Sequence, residues 1–145
     1  MHLEIKCFDQ SMYRDFGLPS VATDGSAAID LPVAADWTLR ENETVDIPTG
    51  YGIHLNEPTM CGLLFVRSGW SKYISLANGV GVIDSDYQGQ IIARVYAREF
   101  ARVKRGQCIV QYMVVPIRRV HELILVPEFS QSSARGEGGF GSTGA

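Results

Sequence analysis

The sequence has little of what marks a membrane protein, a secreted protein or a general nucleic-acid binder. No apolar run in it approaches the roughly 20 residues of a membrane span, and no secretory leader is expected. The 13 lysines and arginines do not outnumber the 16 aspartates and glutamates, so no basic stripe for nucleic acid is expected. These absences predict a cytoplasmic protein without a membrane or nucleic-acid partner.

Cysteine and histidine are also scarce, with three of each. The cysteines Cys7, Cys61 and Cys108 are odd in number, far apart and without metal-ligand spacing. They predict reduced thiols rather than a disulfide framework or a zinc site. His54 and His121 lie in strand-like runs, where structural roles are favoured. The sequence therefore predicts no directly bound metal.

What the chain does contain is a pattern of short strands. Its 145 residues, 46% of them apolar, predict one domain with a substantial core. Five apolar residues share one parity around a bend at 48–50, and they predict one face of a strand pair: Val45, Ile47, Tyr51, Ile53 and Leu55. Further strands are predicted at 3–8, 27–34, 60–66, 91–97, 108–117 and 123–126, and one helical turn around 70–73. This pattern predicts an all-β sandwich, jelly roll or barrel.

The C-terminal segment 135–145 is too rich in glycine to predict a packed element. In an arbitrary protein such a segment is a disordered end. Residues 139–144 also spell G-x-G-x-x-G, but the strand and helix that flank a dinucleotide-binding loop are missing. Arg135, Phe140 and the exposed N–H groups instead favour an arm that closes over an anionic ligand.

Segment 78–90 predicts a hairpin whose turn lies at 84–89. Asp84 follows two apolar residues at the edge of this turn, where partial burial would tune a carboxylate as a general base. Tyr87 presents a flat ring suited to packing against a sugar. An ordinary turn remains the alternative interpretation of this segment.

Three other positions carry polar groups where apolar residues are expected. Segment 67–69, Arg-Ser-Gly, ends an apolar strand, and an Arg fork beside a short hydroxyl suits phosphate oxygens. A surface ion pair of Arg67 is the alternative. Asp30 and Gln111 interrupt apolar strands and need partners if they are buried. Together they hint at a site.

In this order the segments resemble the homotrimeric deoxyuridine triphosphatases (dUTPases). The five motifs of that family are similar to segments 26–31, 67–69, 78–90, 106–111 and 135–145, which together span nearly the whole chain. The third and fifth motifs are long and specific, and the others gain meaning beside them.

The resemblance implies a jelly-roll-like β barrel over residues 1–134 and a flexible arm over 135–145 that closes on an active site. Three chains would share three active sites. The reaction would be Mg²⁺-dependent hydrolysis of dUTP to dUMP and pyrophosphate. That reaction limits uracil incorporation into DNA and supplies dUMP for thymidylate synthesis.

The resemblance also assigns roles to residues. Asp84 would be the general base that activates water for attack on the α-phosphorus. Tyr87 would stack on the deoxyribose and leave no room for a 2′-hydroxyl. The uracil edge would be read by Asn78 and by the backbone at Gly79 and Gly81.

Phosphate binding would fall to Arg67, Ser68 and Gly69. Asp30 and Gln111 would act through water in the phosphate and metal region. From the arm of another subunit, Phe140 would cover the uracil. The other arm residues implied in substrate binding, mainly at the γ-phosphate, are Arg135, Gly141, Ser142 and Thr143.

Four positions depart from the usual motifs: Ala28 for Gly, Trp70 for a smaller apolar residue, Cys108 for a frequent Arg, and Gln90 for a frequent acidic residue. Because a thiol cannot replace a guanidinium, we assign Cys108 none of the functions that an arginine would have at this position.

Three alternatives stay open. A dCTP deaminase shares the fold but should carry a glutamate in the hairpin region, where this chain has Gln88 and Gln90. A catalytically silent dUTP-binding or regulatory module would be expected to lose Asp84 or the arm. A capsid or lectin jelly roll would explain the strands alone.

Overall fold

The computed structural model describes residues 1–141. Within that range eleven antiparallel strands form the fold, together with one short helix and one 3₁₀ turn. The strands are β1 (Glu4–Cys7), β2 (Ile29–Pro32), β3 (Trp37–Leu39), β4 (Thr44–Pro48), β5 (Tyr51–His54), β6 (Met60–Val66), β7 (Ile74–Leu76), β8 (Gly81–Ile83), β9 (Ile92–Ala97), β10 (Ala101–Val103) and β11 (Cys108–Pro116). The prediction of a mostly β chain is confirmed.

The strands divide into four sheets around one core. Their orders are β2-β11-β6-β8, β4-β9-β7, β1-β5 and β10-β3. The expected closed barrel is not found in residues 1–141, because the hydrogen-bonded ladders stop at the sheet boundaries. The core that joins the sheets is built mainly of aliphatic side chains, among them Leu31, Val33, Leu39, Ile47, Ile53, Leu64, Ile74, Val95, Ile109 and Val110.

The two strands predicted on either side of a bend at 48–50 are confirmed as β4 and β5, although β4 pairs with β9 and β5 with β1 rather than with each other. Four of the five same-parity residues are buried, and Val45 packs against the core from its edge. Thr49 is fully buried at the bend, where its hydroxyl donates to the Ile91 carbonyl at 2.8 Å. Gly50 turns the corner with φ +81°, which only glycine adopts without strain. This corner joins two different sheets.

The short helix α1 (Gln10–Phe16) was not predicted. Its seven residues are too few for a clear helical period. Its end signals are nevertheless present: Asp9 caps the helix by accepting from the Ser11 N–H, and Gly17 follows it with φ +71°. The turn predicted around 70–73 is observed as a 3₁₀ turn at Ser68–Trp70, extended by a hydrogen bond from the Tyr73 N–H to the Trp70 carbonyl.

The predicted strand at 123–126 is wrong. Residues 117–126 have no regular structure, and Leu123 and Leu125 are 90% and 99% exposed. His121, placed by its pattern in a strand-like run, lies in the same exposed stretch. A strand needs a neighbour to bond with, and none of the described residues pairs with this segment.

The predicted hairpin at 78–90 is also wrong, although its turn is confirmed. β8 pairs with β6, whereas β9 pairs with β4 and β7. Residues 84–90 therefore cross from one sheet to another. The turn itself is closed by a hydrogen bond of 3.2 Å from the Tyr87 N–H to the Asp84 carbonyl.

Candidate active site

A cleft of about 230 Å³ collects residues from three of the sequence motifs. β11 lies between β2 and β6, and its Gln111 stands opposite Asp30 on one side and Phe65 on the other. Arg67 and Ser68 follow directly from the end of β6. Strand pairing thus brings positions 30, 67 and 111 together in one cleft.

Arg67 is held in this cleft by two contacts. Its Nε lies 2.9 Å from the Asp30 Oδ1, and one terminal nitrogen donates to the Cys108 carbonyl at 3.1 Å. A guanidinium has five N–H donors, so donors remain for an anion. The expectation that Asp30 needs a partner is met by Arg67, and the side chains are 20% and 39% exposed. The cleft holds its cation in place before any ligand binds.

The neighbouring residues leave the cleft open. The Gln111 side-chain amide donates to the Val66 carbonyl at 3.3 Å, which fixes it across the sheet. Ser68 begins the 3₁₀ turn, and a Cβ on Gly69 would meet no atom within 4 Å. Packing does not demand glycine at 69, so its backbone is open to a ligand.

Cys108 borders the cleft through its backbone. The three cysteines are free, as predicted. Burial raises the pKa of the Cys108 thiol, and the negative charge of Asp30 adds to this effect. The thiol is thus kept in its neutral form, and its carbonyl, not its side chain, supports Arg67.

Asp84 and Tyr87 line a second, smaller cleft of about 170 Å³ together with Gln90. Asp84 is exposed, so the predicted partial burial of its carboxylate is wrong within a single chain. Tyr87 is 41% exposed and donates from its hydroxyl to the Gln90 carbonyl at 2.9 Å. Its ring lies so close over Gly89 that a Cβ there would overlap it.

The proposed uracil readers lie just before this turn. Asn78 and Gly79 are exposed, and Gly79 has φ +74° with its N–H bonded to the Leu76 carbonyl. Gly81 is buried, and a Cβ there would lie 2.9 Å from the Leu64 Cβ. Close packing thus explains the glycine at 81, and only its backbone is available to a ligand.

A larger cleft of about 520 Å³ lies on the other side of Asp84. Asn56 and Arg119 are among its lining residues, and neither was identified from the sequence. The only signal was the basic pair Arg118-Arg119 after the last strand. Asp84 therefore stands between two clefts, and neither of them contains Arg67.

The described part of the arm, 135–141, folds on itself. Arg135 donates from Nε to the Gly138 carbonyl at 2.7 Å, and the Gly138 N–H donates back to the Arg135 carbonyl. Phe140 is fully exposed, and Gly141 has φ +83°. Ser142 and Thr143 lie outside the described residues. Within one chain, Arg135, Phe140 and Gly141 line none of the three clefts described above.

Residues 1–141 contain no group of three or more His, Cys, Asp or Glu side chains placed to hold a metal ion. None of the helices described is long and apolar enough to cross a membrane.

Comparison with known proteins identifies the family to which the chain is similar. A family model described as dUTPase matches residues 14–144. The chain is 40% identical to the deoxyuridine 5'-triphosphate nucleotidohydrolase of Aeromonas salmonicida, covering 98% of this chain and 96% of that protein. The corresponding protein of Hahella chejuensis is 43% identical over the same shares. The Staphylococcus bacteriophage 80alpha dUTPase, solved with dUPNHPP, superposes with a TM-score of 0.84 at 26% identity, covering 99% of both chains.

Proposed function

Because the chain belongs to the dUTPase family and hydrolyses dUTP, we propose that water attacks the α-phosphorus and releases dUMP and pyrophosphate. The observation that carries this proposal is the cleft in which Asp30 and the Cys108 carbonyl hold Arg67. Phosphoryl transfer depends on positioning and charge neutralisation more than on covalent chemistry. A fixed guanidinium in an open cleft supplies both.

In this proposal Asp84 takes the proton from the attacking water. Its exposure in one chain leaves room for that water beside it. Tyr87 presents its free ring face to the deoxyribose, and its other face rests on Gly89. Asn78 and the backbone at 79–81 read the uracil edge. Arg67 and Ser68 bind phosphate oxygens, and the open backbone at 69 lets the phosphates approach.

The residues present fit a Mg²⁺ ion that is bound mainly by the substrate. Mg²⁺ keeps several waters and takes phosphate oxygens, so it needs no cage of protein ligands. Asp30 and Gln111 face each other across β2 and β11 and would hold its water ligands. Bound there, the ion would neutralise phosphate charge. One carboxylate oxygen of Asp30 already serves Arg67.

We further propose a homotrimer whose active sites are shared between subunits. Two observations support it. The Arg67 cleft and the Asp84 cleft are separate in one chain, although one substrate must reach both. The segment before the arm also exposes a run of apolar side chains that water disfavours: Val120, Leu123, Ile124, Leu125 and Phe129. A neighbouring subunit would cover them.

The arm would then close over a site on another subunit. Phe140 is exposed and would cover a base, and among residues 1–141 the Arg135 side chain bonds only within its own turn. Gly141 with positive φ gives the arm its bend, and Ser142 and Thr143 would complete the γ-phosphate contacts. Closure would expel water and strengthen the electrostatic contacts inside.

We place the enzyme in the cytoplasm, since its free thiols fit a reducing compartment. There it would limit dUTP incorporation into DNA and supply dUMP.

The reaction is tested by incubating the protein and Mg²⁺ separately with dUTP, dTTP, dCTP and UTP. Selective formation of dUMP and pyrophosphate is expected. Ammonia release from dCTP would instead identify a deaminase, and binding of dUTP without turnover would identify a silent binding module.

The shared site is tested by mixing two strongly impaired variants, Asp84→Asn and a chain truncated before Arg135. Mixed trimers should regain part of the activity, because some sites combine an intact Asp84 with an intact arm. Light scattering should give three chains per particle. Monomers, or mixtures as inactive as their components, would contradict the proposal.

A further inference from the structure

The structure assigns to Gln90 the positioning of the Tyr87 ring, and through it the discrimination between deoxyribose and ribose nucleotides. This inference rests on the proposed function and adds to it a residue that contacts Tyr87 directly. Gln90 carries a neutral amide side chain at the end of this turn.

The first contact fixes the Gln90 side chain to the body of the fold. Its Oε1 accepts a hydrogen bond of 2.7 Å from the N–H of Gly50. Gly50 is buried at the left-handed corner between β4 and β5, and its carbonyl accepts from the Phe8 N–H at 2.8 Å. A buried N–H needs an acceptor, and Gln90 supplies it from outside both strands.

The second contact fixes Tyr87 to Gln90. The Tyr87 hydroxyl donates to the Gln90 carbonyl, and the ring rests on Gly89 between the two residues. Gly89 in turn lies against Gly52, where a Cβ would stand 2.7 Å from the Gly89 carbonyl oxygen. The turn therefore packs against β5 at Gly52, where no side chain separates the two backbones.

These contacts form one mechanical path. The Gly50 corner holds the Gln90 side chain, the Gln90 backbone holds the Tyr87 hydroxyl, and the hydroxyl sets the plane of the exposed ring. A ring held in one plane excludes a 2′-hydroxyl by contact, whereas a ring free to tilt makes room for it. Selectivity for the sugar thus depends on Gln90 as well as on Tyr87.

Gln88 provides a matched control, because it is the same residue type in the same turn. It is exposed, and its side chain makes no hydrogen bond within the described residues. The closing experiment compares kcat/KM for dUTP and for UTP in the wild type, Q90A, Q88A, Y87F and Q90A/Y87F. Backbone amide exchange of residues 84–90 is followed in the same proteins.

We expect Q90A to lower the dUTP/UTP ratio of kcat/KM about tenfold, the effect of one lost positioning hydrogen bond. Exchange of the turn should accelerate, and Q88A should change neither quantity. Because Y87F breaks the same path, the double variant should lower the ratio no further than the stronger single variant. If Q90A does not fold, Y87F and its exchange profile still decide the matter.

Some results would overturn the role of Gln90 alone, and others would overturn the proposed function as well. Equal losses for both nucleotides in Q90A would show a purely structural role and overturn the inference, as would an unchanged ratio or additive effects in the double variant. A wild type that hydrolyses dUTP and UTP equally well, or neither, would overturn the proposed function itself and this role with it.

Discussion

The Arg67 cleft and the arm at 135–141 differ in how much of their structure one chain supplies. Arg67 is tied to Asp30 and to the Cys108 carbonyl, and Gln111 is tied to β6. Within residues 1–141 the Arg135 side chain bonds only to Gly138, three residues further on, and Phe140 is wholly exposed. The contacts of the Arg67 cleft are in place before substrate arrives, whereas the hydrogen bonds of the arm's described part are local.

The difference shows how the proposed site divides its labour. A cation fixed by the sheet loses no orientation when phosphate binds, so it gives affinity at little entropic cost. An arm with local bonds alone can leave for each substrate and product. The turn at 84–90 stands between these extremes, because it is anchored at Gln90 but leaves Asp84 exposed.

The largest effect is expected from Asp84→Asn. The amide keeps the shape of the carboxylate but cannot accept the proton from water, so kcat should fall about 1,000-fold. Binding of a non-hydrolysable dUTP analogue, measured by calorimetry, should change little. Asp86→Asn in the same turn is the control and should retain activity. Full turnover by Asp84→Asn would remove this residue from catalysis.

The second largest effect is expected from truncation of the chain before Arg135. Without the arm, water stays in the site and the γ-phosphate loses its contacts, so kcat/KM should fall about 100-fold. The thermal midpoint should stay unchanged, because the hydrogen bonds of the arm's described part, 135–141, are local. Undiminished hydrolysis would show that the arm is dispensable, and a lowered midpoint would show that it belongs to the body of the fold.

Asp30→Asn tests the Arg67 cleft, whose side chains are held in place by the sheet. The amide removes the charge that orients Arg67, and kcat/KM should fall about tenfold, mainly through a higher KM. Asp46→Asn is the matched control, since it breaks a pair with Arg94 of similar length, 2.8 Å, on the sheet surface. Because solvent screens that exposed pair, its loss should change stability little and turnover not at all. Equal kinetic effects of both variants would contradict a specific role for Asp30.

The smallest effect is expected beneath the Arg67 cleft, at Tyr112 of β11. This side chain is fully buried, and its hydroxyl has no hydrogen-bond partner among the described residues. Tyr112→Phe removes an unpaired polar atom, so it should stabilise the fold by about 1 kcal/mol at neutral pH. Activity should be unchanged, since Tyr112 lines none of the clefts described above.

The same variant should change the alkaline stability profile. Burial raises the pKa of Tyr112 to about 12, and a charge on Cys61 would add to this effect. Above a pH of about 10 the unfolded chain releases this proton while the folded chain keeps it, so the free energy of unfolding falls as pH rises. Denaturant titrations should therefore show the advantage of Tyr112→Phe growing from pH 10 to about 12. A constant difference would contradict the raised pKa.

Particular residues show how far the sequence reaches. Alternation predicted β4 and β5 with their bend, because side-chain parity in a strand is local. The chemistry of Asp30 and Gln111 marked two polar positions in apolar strands before any contact was known. The segments at 123–126 and 78–90 were misassigned, because strand pairing depends on which chain lies alongside, and a local pattern does not contain that information.

The sequence by itself determined the β class and the family resemblance, and it supplied the residues proposed to bind phosphate and uracil. Only the tertiary structure showed that Asp30 holds Arg67, that Gln90 reaches the Gly50 corner, and that the Arg67 and Asp84 clefts stay apart in one chain. The reason is physical. Propensity and parity act between neighbours along the chain, whereas these contacts join residues up to 40 positions apart, as in the Gln90–Gly50 bond, and form only when the sheets pack.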